Sequence, residues 1–131
     1  MQQVVDKPKN IKSFTGLNAW REAHQLAVEI YKLTEQLPKS DNFGLAQQMQ
    51  RASLSVSSNI AEGFGRQTKA DTARFYVMAR GSLTELQNQI VLARDTKKIS
   101  AYQFESLATQ TVVVIKLVGG LIRSTNILTS S

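Results

Sequence analysis

The stretch SVSSNIAEGFGR, Ser55 to Arg66, gathers three serines, an asparagine, a glutamate and two glycines. Those residue types suggest a nucleophilic serine, a general acid or a phosphate-cradling loop, and each needs a partner. A serine nucleophile needs a base within hydrogen-bond reach, and the only histidine is His24, far away in sequence on an earlier helix. Ser53, Ser55, Ser57 and Ser58 are therefore read as small residues that let helices approach closely. GFGR lacks the third glycine and preceding strand of a dinucleotide fingerprint, and the Gly-Lys-Ser/Thr of a P-loop, so it reads as a helix–helix turn. Glu22 and His24 are two apart and fall on nearly opposite sides of a helix, unlike the Glu-x-x-His pairs of di-iron bundles. With one His and no Cys, a structural zinc site is excluded, and neither metal nor cofactor is expected. Glu62 stands four before Arg66, with Arg74 a second partner within reach, and reads as a staple at the turn rather than a general acid.

The elements that would position this stretch follow from composition and period. The chain has 131 residues, 42% hydrophobic and 20% charged, which suits one folded domain. Sixteen Lys and Arg against ten Asp and Glu give +6, a balance that favours anionic partners, nucleic acid first. The beginning MQQVVDKPKNIKSF has no apolar h-region, and VVVIKLVGGLI is too short to span a bilayer, so a soluble cytoplasmic protein without a membrane partner is expected. The absence of Cys fits a reducing compartment.

Four segments show helical spacing. Leu17, Trp20, Ala23, Ala27, Ile30, Thr34 and Leu37 form the first, ended by Pro38. Leu45, Met49, Ala52, Val56 and Ile60 form the second, with Ser40 and Asp41 as N-cap candidates and Gly63 and Gly65 closing it. Thr68 opens the third, whose core face is Phe75, Ala79, Ser82, Leu86, Ile90 and Ala93, with Lys97 and Lys98 in its last turn. Ser100 and Gln103 make a capping box for the fourth, which runs through Phe104, Leu107, Thr111, Val114, Val118 and Ile122. Gly119-Gly120 weakens its end or marks contact with another helix. The expected fold is all-α: an up-down-up-down antiparallel four-helix bundle over residues 13–124, with 1–12 and 125–131 as frayed tails. Val77, Thr84 and Val91 form an apolar line away from the third helix's core face, which suggests packing against another subunit.

FTGLNAWREAHQLAVEIYKLTEQLP, GLAQQMQRASLSVSSNIAEGFGR and RFYVMARGSLTELQNQI together resemble the four-helix-bundle family of proteins encoded within intervening sequences of bacterial large-subunit ribosomal RNA. The most specific blocks are SNIAEG, including Ser58, Asn59, Glu62 and Gly63, and ARGSLTEL, including Gly81, Ser82 and Glu85. The resemblance implies a ring, commonly a homopentamer with a central channel, and brings no enzymatic activity. Its relatives include accessory proteins of diversity-generating retroelements, basic rings that bind nucleic acid and a reverse transcriptase. Two departures stand out: Ser57 replaces a usual proline, softening the expected kink, and Gln50-Arg51 replaces what is often a basic pair.

The expected function is a non-enzymatic oligomer that binds nucleic acid, RNA first, through Arg66, Lys69 and Arg80, and then Lys97 and Lys98. The alternative is a protein-interaction scaffold such as a reverse-transcriptase accessory subunit. The stretch from Ser53 to Ser58 is expected to pack against the third helix around Gly81 and Ser82, so that the quoted residues are architecture.

Overall fold

The computed structural model describes residues 14–41 and 44–126. Among these residues lie four long helices, α1 (Asn18–Thr34), α2 (Leu45–Phe64), α3 (Lys69–Asp95) and α4 (Ala101–Ser124), with a 3₁₀ turn at Lys39–Asp41 and no strand. Residues 1–13 and 127–131, which take in most of the expected tails, lie outside the described residues. Thr125, assigned to a tail from the sequence, is instead buried, and its hydroxyl donates to the Ile122 carbonyl at 2.7 Å.

Local chemistry sets most helix ends. The Thr68 hydroxyl accepts the Asp71 amide at 3.1 Å, with the Asp71 carboxylate in the first turn of α3, where the helix dipole favours it. Ser100 and Gln103 form a complete capping box, each side chain bonding the other's backbone N–H at 3.0 and 2.8 Å. Helix α1 stops at Thr34, ahead of Pro38. Ser40 and Asp41 do not cap α2; they sit in the 3₁₀ turn, and Gly44 precedes the helix without a side-chain bond.

Two other endings differ from expectation. Gly65 keeps a right-handed φ of −88°, so the exit from α2 needs no left-handed glycine. At the end of α3 it is Lys97, past the last turn, that turns left-handed at φ 61°, while the Lys98 amide reaches back to the Ala93 carbonyl at 2.8 Å. Arg94, not Lys97 or Lys98, is the cation in the last turn.

The helices pack in the pairs α1–α2, α2–α3, α3–α4 and α4–α1, closing round one core. Leu26 and Ile30 of α1, Met49, Val56 and Ile60 of α2, Leu83, Leu86 and Ile90 of α3, and Val114 and Val118 of α4 are almost wholly removed from water. Each such aliphatic side chain contributes roughly 1.5–3 kcal/mol of burial. Polar ties cross the seams: Gln50 Nε2 donates to Thr34 Oγ1 at 2.8 Å, and Gln87 Nε2 to the fully buried Thr111 Oγ1 at 3.0 Å. Both hydroxyls in turn donate to carbonyls in their own helices, those of Tyr31 and Ala108, so neither buried polar group is left unmatched.

Helix α4 runs unbroken through Gly119-Gly120. The group nearest those glycines is the guanidinium of Arg123 in the same helix, at 3.4 and 3.8 Å from where a Cβ would stand, and not another helix. Counted as a helix rather than an apolar run, α4 has 24 residues, an 18-residue window of which has a mean hydropathy of 1.4, and is long and apolar enough to cross a bilayer. Here it lends one stripe, Leu107, Thr111, Val114, Val118 and Ile122, to the core and leaves Val112 and Val113 exposed.

Candidate nucleic-acid interface

The expected architectural stretch divides in a way one residue decides. Ser53 and Ser57 are buried and spend their hydroxyls on the Gln50 and Leu54 carbonyls at 3.0 and 3.2 Å. Ser58, one position (about 100° of helix) further on, is exposed. Gly81 is exposed too, with open space where a Cβ would stand, so Ser58 and Gly81 make no close helix contact. The close approach is at Gly63, where a Cβ would come within 2.9 Å of the Tyr76 ring and 3.0 Å of Phe75 Cβ.

Ser55, just ahead of the SNIAEG block, links it to the ARGSLTEL block. Ser55 Oγ and Ser82 Oγ are 2.8 Å apart across α2 and α3, and Asn59 Nδ2 donates to the Ser55 carbonyl and hydroxyl at 2.9 and 3.1 Å. Glu85 is exposed beside the buried Gln89 amide, whose Nε2 reaches Glu85 at 3.5 Å while its Oε1 has no partner. His24 is exposed, stacks on Trp20 with ring centroids 4.7 Å apart, and shares the lining of the α1–α2 groove with Ser57. Among the described residues no three His, Asp or Glu side chains gather as metal ligands.

The basic residues behave differently from one another. Arg66 pairs with Glu62, lies 3.7 Å from Asp71, and covers one side of the Phe75 ring at 4.6 Å. Arg74, the other partner considered for Glu62, pairs with Asp71 at 2.8 Å and lies 4.5 Å from the same ring. Two guanidinium groups thus hold one aromatic ring at the α2–α3 turn, each contact worth about 0.5–1 kcal/mol at such an exposed site. Arg66 is consequently neutralised and committed to the turn. Burial pushes the Tyr76 phenol, on the ring beside Gly63, above its ordinary value.

Lys69 and Arg80 are exposed and form no ion pair among the described residues. Lys97 and Lys98 lie at the far end of α3, about 40 Å from Lys69 at 1.5 Å per residue, so the five expected contacts do not form one patch. That far end also carries the Arg94–Asp95 pair at 2.8 Å, which holds the Asp95 carboxyl below its ordinary value through the hydrogen bond, and Glu105 nearby. A cation missed from sequence is Arg51, exposed on α2 without an ion partner among the described residues. Its position between the buried Met49 and Ala52 was the available signal.

Of the expected subunit contacts, Val77 is half-buried against the core, and Thr84 is exposed with its hydroxyl on the Arg80 carbonyl at 3.3 Å. Val91 is 38% exposed and lines an apolar groove of about 270 Å³ between α3 and α4, with Ile90, Phe104, Ala108 and Val112.

Four helices closing one core, with serine and glycine blocks at the α2–α3 seam, define an all-helical bundle protein. The family model for the 23S rRNA-intervening sequence protein matches residues 15–120, and the chain belongs to that family. A solved relative in fold is a protein of unknown function from the S23 ribosomal protein family of Bacteroides thetaiotaomicron. It aligns with a TM-score of 0.76 at 24% identity, covering 80% of this chain and 95% of its own. No curated protein matches.

Proposed function

We propose that the chain is a non-enzymatic, ring-forming protein of the cytoplasm that binds RNA through phosphate contacts. Its helices then run antiparallel, up-down-up-down. Contact order supports that arrangement: Ser55 meets Ser82 whereas Gly63, further along α2, meets Phe75 and Tyr76, earlier in α3. Likewise Gln87 bonds Thr111 while Arg94, later in α3, covers the earlier Phe104. The homopentamer comes from the family resemblance, and the apolar surface left on α3 and α4 supports self-association.

The observation that carries the nucleic-acid reading is a set of exposed cations without ion partners among the described residues, Lys69, Arg80 and Lys97 among them, on a chain of net charge +6. Five chains would total about +30, enough to attract a polyanion well beyond the affinity of one subunit. The family's name, which ties it to 23S rRNA, favours RNA over DNA. A hydrolase is disfavoured because the Ser53 and Ser57 hydroxyls donate to helix carbonyls and the His24 ring is stacked on Trp20.

Fluorescence anisotropy with a labelled RNA hairpin across a salt series tests this. Log affinity should fall linearly with log salt, by about 0.9 for each duplex phosphate neutralised. Lys69→Glu with Arg80→Glu should flatten the slope and leave the assembly intact, whereas Arg66→Gln should act mainly on stability. Absence of binding at roughly 50 mM salt would replace this function with the scaffold alternative, a protein-binding accessory subunit such as a reverse transcriptase partner.

A further inference from the structure

Two apolar grooves lie on helix pairs that share no helix. One is the α3–α4 groove, with Val91 at 38% and Val112 at 45% exposure. The other, about 290 Å³ and mostly apolar, lies between α1 and α2, where Val28, Tyr31 and Leu54, the last 51% exposed, line it together with His24 and the oppositely charged Lys32 and Glu35. Isolated surface apolar residues are ordinary, but clustering in two grooves of one small chain is not. A two-fold dimer pairs a patch with itself and would leave the second groove bare. A head-to-tail contact joins two different patches, and one chain can then use both at once.

We infer that the α1–α2 groove of one protomer receives the α3–α4 face of the next copy, an inference that rests on the ring assembly proposed above. The heights of the two grooves along the bundle agree. Thr34 of α1 is bonded to Gln50 of α2, and Leu33 shares a cleft with Leu107 of α4. Leu54 and Tyr31 therefore stand a short way from the same end of the bundle as Ala108 and Val112. Copies standing side by side in a cyclic assembly bring equal heights together. Charge agrees as well. Arg51, one turn before Leu54, and Glu105, one turn before Ala108, form no ion pair among the described residues. Both sit in the first third of their helices, near the shared end, so seating one groove on the other sets Arg51 opposite Glu105 at the rim. Opposite signs at a rim steer association and fix its register, while the apolar centre supplies the affinity.

The experiment mixes two defective chains. Leu54→Asp spoils the α1–α2 groove alone, and Val112→Asp the α3–α4 groove alone; both sites are exposed, and circular dichroism melts confirm folding. If an Asp variant loses its melt, Leu54→Ser and Val112→Ser carry the same test. By light scattering at micromolar concentration, wild type should be an oligomer and each variant a single chain. The equimolar mixture should yield a one-to-one dimer of twice that mass, because one intact groove of each kind remains and neither chain can extend further. A mixture that stays monomeric, or a single variant that keeps the wild-type mass, overturns the inference while leaving the oligomer standing. A monomeric wild type removes the ring itself, and this contact with it.

Discussion

At the scale of single residues, the two glycines of the specific blocks do opposite work. Gly63 is buried where α2 meets α3, and a Cβ there would press on the Tyr76 ring at 2.9 Å and Phe75 Cβ at 3.0 Å. Phe75 cannot retreat easily, since Arg66 and Arg74 hold it. Gly81, mid-helix on α3, has nothing within 4 Å of that position and only the backbone-entropy penalty of glycine. Gly63→Ala should therefore cost about 1–3 kcal/mol through overpacking. Gly81→Ala should add about 1 kcal/mol through helix propensity. Urea or thermal unfolding of the two variants checks this, and equal shifts in one direction would refute the division.

At the scale of elements, the end of α3 carries a cost that a single change removes. Lys97 adopts φ 61° in a closure where the Lys98 amide bonds the Ala93 carbonyl, a position at which glycine is favoured. A left-handed conformation costs a residue with a Cβ roughly 1 kcal/mol, so Lys97→Gly should raise the melting temperature by a few degrees. An unchanged or lowered melt would count against it. The caps at Thr68 and Ser100 were legible in sequence because they are local: a hydroxyl and its acceptor amide lie three residues apart whatever the tertiary fold. The core stripes were legible because a 3.6 period specifies a face. What that period leaves open is the rotation of each helix against its neighbour. Ser57 and Ser58 differ by one position and end up buried and exposed, and Gly63 rather than Gly81 takes the close contact. Spacing offered Arg66 one anion, Glu62, while its second, Asp71, lies across a turn whose geometry spacing does not specify.

For the whole molecule, the assembly and the RNA binding proposed above draw on different forces and should part under salt. Subunits carrying +6 each repel one another, and the Debye length shrinks from about 10 Å at 0.1 M to about 3 Å at 1 M. A contact centred on Leu54, Tyr31, Val91 and Val112 is apolar, so added salt relieves the repulsion and leaves the attraction in place. A rim pair such as Arg51 with Glu105 is weakened by the same screening, but exposed pairs contribute only about 0–1 kcal/mol. Phosphate contacts behave in the opposite way, since each one gains from counterion release that added salt suppresses. Between roughly 50 and 500 mM salt, RNA affinity should fall by orders of magnitude while the mass of the assembly holds or rises. Because dilution opposes assembly, the melting temperature should also climb with protein concentration, by a few degrees for each tenfold. Analytical ultracentrifugation alongside anisotropy reads both quantities on one sample. Assembly and RNA affinity lost together with salt would mean that charge, not the apolar grooves, joins the subunits.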